Sequence, residues 1–173
     1  MFWGVTARPD TFIVVEIRQK IYARQDRTFR IKITTGTVEH FTDEEISMPG
    51  VFEISVAAEF SAAHSLQGYP GNCAQVHGHN WTVEVFVRCR ELNAIGIGID
   101  FREVKRAVRE SIENLDHSYL NEHPSFTELN PSSENIAKFL YKELSAIINS
   151  ENAQISKVKV SEAPNTGAYY WEE

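Results

Sequence analysis

The sequence predicts an α+β fold, an antiparallel sheet carrying two helices on one face. Three observations predict it: two long strand-like runs near the middle of the chain, two later segments with apolar residues at helical spacing, and a closing pair of short strand-like runs. VFEISVAAEFSAAH (51–64) reads as the first strand and NWTVEVFVRCR (80–90) as the second. In the latter, Trp81, Val83, Val85 and Val87 share one face while Thr82, Glu84 and Phe86 share the other. A Gly- and Pro-containing loop, SLQGYPGNCAQV, joins the two runs and carries Cys73. Phe101, Val104, Val108, Ile112 and Leu115 recur at helical spacing behind Asp100, a predicted N-cap, and place a helix over 101–115. A second helix is predicted over 130–148, capped by Ser132 or Ser133, with Ile136, Phe139, Leu140, Leu144 and Ile147 as its apolar stripe. ISKVKVSEA and GAYYWEE close the chain as two short strands around a turn at Pro164–Gly167.

Residues 1–50 differ from this pattern. TFIVVEI (11–17) and TFRIKITT (28–35) are β-rich and predict a hairpin, with HFTDEEISMPG as a linker after it. The Pro49–Gly50 pair punctuates the chain before the next strand, so the expected organisation is an N-terminal extension, 1–50, and a main domain, 51–173.

The chain has 173 residues, 42% hydrophobic and 24% charged, enough to bury a core without disulfides. Its formal charge of −7 opposes general binding to nucleic acid or to anionic membranes, which needs clustered Lys and Arg. With only Cys73 and Cys89 there is no disulfide framework, and free thiols suit a reducing cytoplasm. The start MFWGVTARPD has no basic stretch followed by an apolar run, so no secretory leader is expected and the chain is expected in the cytoplasm.

CAQVHGHNW is the most informative segment. His77 and His79 are one residue apart, so in a strand both imidazoles point the same way, and the intervening Gly78 lets other groups approach closely. His64 ends the preceding strand and reaches the same point if the two strands form a hairpin. Three neutral imidazoles suit zinc, with a fourth position open to water or substrate, which is a catalytic rather than a structural pattern. His40 and His123 lie in polar stretches and read as solvated.

Cys73 has two readings, a fourth metal ligand closing a structural site or a thiol whose acidity a nearby dication raises, fit to remove a substrate proton. Cys89, between Arg88 and Arg90 on a strand, reads as a packed thiol. Asp116 beside His117 can orient the imidazole as a general acid or base, or His117 can simply interact with the C-terminal end of the helix dipole. Glu162, at a strand end, is either a surface carboxylate or the acceptor for paired N–H donors on a ligand.

Together, FSAAH, CAQVHGHNW, IDFREVK, LDHSYLN, PSSENIA and SEAPNTGAYY resemble, in the same order over residues 51–173, the 6-pyruvoyltetrahydropterin synthase family, which includes the 6-carboxytetrahydropterin synthases of the queuosine pathway. The resemblance implies the tunnelling fold, a four-stranded antiparallel sheet with two helices on one face. It also implies a barrel of three edge-paired subunits and a homohexamer of two such trimers. Zn2+ on His64, His77 and His79 is implied, with Cys73 as catalytic thiol and Asp116 with His117 as the proton relay. Glu162 would anchor the pterin edge, and Ser132, Ser133 and Glu134 would line its pocket. The implied substrate is 7,8-dihydroneopterin triphosphate. The Cys73 spacing to HGH looks like the queuosine-pathway members, whose lyase reaction gives 6-carboxy-5,6,7,8-tetrahydropterin, acetaldehyde and triphosphate. The alternatives are the 6-pyruvoyl product and, in another class, a non-catalytic pterin- or metal-binding module. No Walker-type loop is present, and Lys157, Lys159, Lys105 and Arg106 are the basic candidates for the triphosphate.

Overall fold

A computed structural model describes residues 14–19, 28–34, 46–47 and 50–173 of the chain. The chain divides into two compact units, Met1–Gly50 and Val51–Glu173. In the first, β1 (Val14–Gln19), β2 (Thr28–Thr34) and β3 (Ile46–Ser47) form an antiparallel sheet in that order. Arg18 pairs with Arg30 and Thr28 with Ser47. The segment expected as a linker therefore contributes a short third strand. His40 lies outside the described residues.

The second unit is built on β4 (Phe52–His64) and β5 (His77–Cys89), which pair antiparallel over their full length from Phe52 with Cys89 to His64 with His77. Strict two-residue alternation explains the layering. Val56, Phe60 and Ala62 of β4 and Trp81, Val83, Val85 and Val87 of β5 are all buried on one face. Two helices cover that face. α1 (Phe101–Ile112) starts where the Asp100 carboxylate accepts the Arg102 N–H at 2.8 Å, and α2 (Ser133–Ile148) starts at Ser132, whose hydroxyl accepts the Asn135 N–H. Val104, Val108 and Ile112 of α1, and Ile136, Leu140 and Leu144 of α2, complete the core. Two residues expected on the apolar stripes are turned out, Phe101 and Ile147, each 51% exposed. Ala107, Ala137 and Tyr141 are buried on the helices instead.

The sheet has five strands rather than the four expected. β6 (Ser118–Tyr119) runs parallel to Ala62–Ala63 at the outer edge of β4, and β7 (Ala153–Ala163) and β8 (Thr166–Tyr170) follow beyond β5, giving the order β6-β4-β5-β7-β8. β6 is the tail of a tight exit from α1 and is too short to show any alternation in the sequence. Among the described residues, no strand pairs with the outer edge of β8 or with the outer edge of β4 before Ala62. No helix among them is long and apolar enough to cross a membrane.

On the other face of the sheet lies a layer of charge. Glu53 meets Lys157 at 2.9 Å and Arg88 at 3.6 Å, and Glu84 meets Lys159 at 3.1 Å. Lys157 also lies over the Phe86 ring and Lys159 over that of Tyr169.

Candidate metal centre and its surroundings

The same alternation that buries the valines of β5 carries His77 and His79 onto the helix-covered face, directly in line with Trp81. The register sets His64 opposite His77 and Ala62 opposite His79, so the three imidazoles meet at the open end of the hairpin. One ring nitrogen from each lies within 4.8 Å of the others. Trp81 forms the floor, its indole edge-on to His64 at 4.9 Å and to His79 at 5.3 Å, with its N–H donating to the Ala62 carbonyl at 3.2 Å. Phe60 stacks against Trp81 at 5.9 Å.

The donor set fits a metal on three grounds. His64 Nδ1 donates to the Pro131 carbonyl and His77 Nδ1 to the Gln75 carbonyl, each at 2.8 Å. A carbonyl only accepts, so both protons sit on Nδ1 and both Nε2 atoms carry lone pairs. Those two Nε2 atoms face each other at 3.1 Å with no proton between them, close to the roughly 3.3 Å separating two nitrogens on a tetrahedral zinc. The third ground is His79 Nε2, which is buried without a hydrogen-bond partner. His64 is 1% exposed, and burial holds its ring below the usual imidazole range, keeping it neutral as a ligand must be. Gly78 is not a steric requirement here, since an added Cβ would meet only the Ala62 carbonyl at 3.8 Å.

Around the histidines the expected residues fall into three groups. Glu162 ends β7 with one carboxylate oxygen 4.0 Å from His79 Nε2 and the other accepting from the Ser133 hydroxyl at 3.1 Å. Ser132 is occupied as the helix cap, and Glu134 is exposed in the first turn of α2 without a bond to the cluster. Cys73 lies half-buried in a single 3-10 turn, Asn72–Ala74, and its thiol is not part of the metal-ligand group. That arrangement disfavours Cys73 as a fourth ligand. Cys89 is fully buried and its thiol is pushed up by burial, as a packed cysteine should be.

Asp116 and His117 are held by one residue of β4. The Ser61 N–H donates to the Asp116 carboxylate at 2.8 Å, and the Ser61 carbonyl accepts the His117 N–H at 2.6 Å. Asp116 also meets His117 Nδ1 at 2.9 Å. The Ser61 N–H, and after it His117, holds the Asp116 carboxyl below the usual carboxylate range. His117 has a left-handed backbone, φ 54°, and its ring is 82% exposed. Among the described residues its hydrogen bonds run to Asp116 and to the Ser61 carbonyl rather than to a carbonyl at the end of α1. The ring opens onto a depression of about 540 Å3 shared with Ser61, Gly78, His79 and Asn80. Among the described residues, neither member of the pair hydrogen-bonds to Cys73.

Other expectations are corrected. His123 is not simply solvated: its ring packs against Phe126 and Phe139 and accepts the Ser125 N–H. Lys157 and Lys159, offered for the triphosphate, are paired with carboxylates on the face of the sheet away from the histidines. Sequence reasoning missed Trp81, Pro131 and Ser61 as parts of the site. Only Trp81 left a signal, since it shares the parity of His77 and His79.

A family model described as 6-pyruvoyl tetrahydropterin synthase matches residues 53–173. A protein of Archaeoglobus fulgidus named putative 6-carboxy-5,6,7,8-tetrahydropterin synthase is 36% identical over 109 residues, 63% of this chain and 86% of that one. The Bacillus subtilis 6-carboxy-5,6,7,8-tetrahydropterin synthase is 33% identical over 129 residues, 70% and 86% of the two chains. In fold, the chain is similar to the Caenorhabditis elegans 6-pyruvoyl tetrahydropterin synthase, with a TM-score of 0.63 at 23% identity, over 72% of this chain and 97% of that one. The matched residues begin at the first strand of the second unit and run to the end of the chain, so they take in the histidine cluster, Cys73, the Asp116–His117 pair and Glu162. On that match the chain belongs to the 6-pyruvoyl tetrahydropterin synthase family.

Proposed function

We propose that the protein is a zinc-dependent lyase that converts 7,8-dihydroneopterin triphosphate and one water to 6-carboxy-5,6,7,8-tetrahydropterin, acetaldehyde and triphosphate. The observation that carries the reading is the three-histidine cluster with a buried, partnerless His79 Nε2 beside a carboxylate. The names of the Archaeoglobus and Bacillus relatives support the carboxy product.

His64, His77 and His79 would hold the zinc, which supplies Lewis acidity to the side-chain hydroxyls of a bound substrate. Glu162, steadied by the Ser133 hydroxyl, accepts the paired N–H groups of the 2-amino-4-oxo edge. Ser132 and Glu134 stand at the same helix N-terminus and border the pterin pocket. Cys73, on the loop between the two ligand-bearing strands, takes a proton from the side-chain carbon. Asp116 fixes the Nδ1 proton of His117 and leaves the other ring nitrogen free to exchange protons with substrate. The relay pair is solvent-facing at the sheet edge, an arrangement that suits a homohexamer in which edges of neighbouring chains meet. The soluble cytoplasm is the expected setting, and residues 1–50 are a separate extension of the synthase domain.

The test is mass spectrometry of products from zinc-loaded protein given 7,8-dihydroneopterin triphosphate, with a parallel acetaldehyde assay. The carboxy product with acetaldehyde is expected, and Cys73→Ala should cut turnover by at least ~100-fold while zinc content stays the same. A 6-pyruvoyl product without acetaldehyde would move the chain to the other branch. Unchanged substrate from zinc-containing, folded protein would replace the enzyme with a pterin-binding module.

A further inference from the structure

We propose that Asn121 and Asn130 are positioning residues that fasten the Cys73 loop to the histidine wall. The inference rests on the proposed use of Cys73 as the reacting thiol. Three consecutive residues just after His64 carry it. The Asn121 side chain accepts the Ser65 N–H at 2.9 Å and donates to the Ser65 carbonyl at 2.9 Å. The Asn130 side chain does the same to Gln67, at 2.7 and 3.0 Å. Between the two clasped residues, the Leu66 N–H donates to the Cys73 carbonyl at 2.8 Å. The backbone of Cys73 is thus hung from a residue whose neighbours are each held twice.

Each carboxamide presents one acceptor and one donor to a single residue, the pairing a neighbouring strand would offer. The loop has no strand beside it here, so the two side chains stand in for one. Both come from the stretch between α1 and α2, and that stretch also supplies the Pro131 carbonyl that orients His64. Asn130 and Pro131 are adjacent, so one dipeptide sets both the thiol loop and a metal-ligand imidazole. The backbone carbonyl of Asn130 accepts from Asn135 and from the Ser132 N–H, which pins that dipeptide to the start of α2.

The experiment compares Asn121→Ala, Asn130→Ala and Asn130→Asp with Asn152→Ala. Asn152 makes the same clasp on Glu91, N–H and carbonyl, at the far end of the domain. Cys73 is half-buried and Cys89 fully buried, so reaction with a bulky aromatic disulfide reagent reads Cys73, and labelling of Cys89 reports unfolding. Losing two hydrogen bonds should raise the Cys73 labelling rate about tenfold in either Ala variant, with zinc stoichiometry unchanged. Asn130→Asp keeps the acceptor and should fall between, which serves if Asn130→Ala fails to fold. On the enzyme reading, kcat should drop with KM nearly preserved, because the pterin edge is held elsewhere. Wild-type labelling rates in the Asn121 and Asn130 variants overturn the proposal, and so does an equal acceleration in Asn152→Ala. The labelling result stands whether or not the protein turns over a pterin, so a failed activity assay is not confused with a failed clasp.

Discussion

Trp81→Phe separates the two jobs of the indole, filling the core and backing the ligand rings. The substitution keeps an aromatic ring in the Phe60 stack but removes the N–H that donates to Ala62 and the part of the ring that lies against His64 and His79. About 50 Å2 of lost apolar contact is worth about 1 kcal/mol, the hydrogen bond about as much again, and the small cavity a similar amount. The metal-free protein should therefore lose about 3 kcal/mol, seen as a fall of about 1.5 M in the urea midpoint by far-ultraviolet circular dichroism. With the floor shortened, His64 and His79 are less well oriented, and zinc affinity measured against a chromogenic chelator should fall about tenfold. If stability falls as expected but zinc affinity is unchanged, the indole is only core and the shared-wall argument is wrong. If neither changes, the contacts described around Trp81 are themselves wrong.

Two further outcomes follow from single contacts. Burial depresses the His64 pKa in the folded state, so below the ordinary value near 6.5 the unfolded chain binds a proton that the folded one refuses. The stability contributed is complete above about 6.5 and is lost as the pH falls from there through the folded-state value; a denaturant midpoint of metal-free protein that stays flat between about pH 7.5 and 5 would refute this. Gly98→Ala should cost about 2 kcal/mol, because its Cβ would come within 2.7 Å of Cys89 Cβ and 2.9 Å of its sulfur. Adding Cys89→Ala should recover only part of that loss, since the Cβ contact remains, and a wild-type urea midpoint for Gly98→Ala alone would refute the clash.

What the sequence disclosed and what it hid follow from how far each signal reaches along the chain. Strand alternation and helix caps are local, so β5, the cap at Asp100 and a cap at Ser132 or Ser133 could be placed from their neighbours alone, and the structure selects Ser132. The histidine cluster was legible because two ligands sit in one strand and the third sits at the end of the run before it. β6 was not, since two residues leave no period to read. The hold of Ser61 on Asp116 spans 55 residues and uses backbone atoms, which carry no residue-specific mark. The pairing of Lys157 and Lys159 with Glu53 and Glu84 is likewise a cross-strand matter that only the register reveals. Phe101 and Ile147 matched the helical period yet stand at the helix ends, the first residue of α1 and the last but one of α2, and both are exposed there.

The position of the three histidines bears on how the protein folds. His64 and His77 are 13 residues apart and face each other across a single hairpin, with His79 one step further along the same strand. Bringing them together closes one short loop, which costs little chain entropy compared with joining distant parts of the sequence. The cluster can therefore form with the β4–β5 hairpin itself, before either helix has docked. The helices and the segment between them then arrive at an existing set of ligands, so a cation captured early would act as a nucleus on which the rest of the domain condenses.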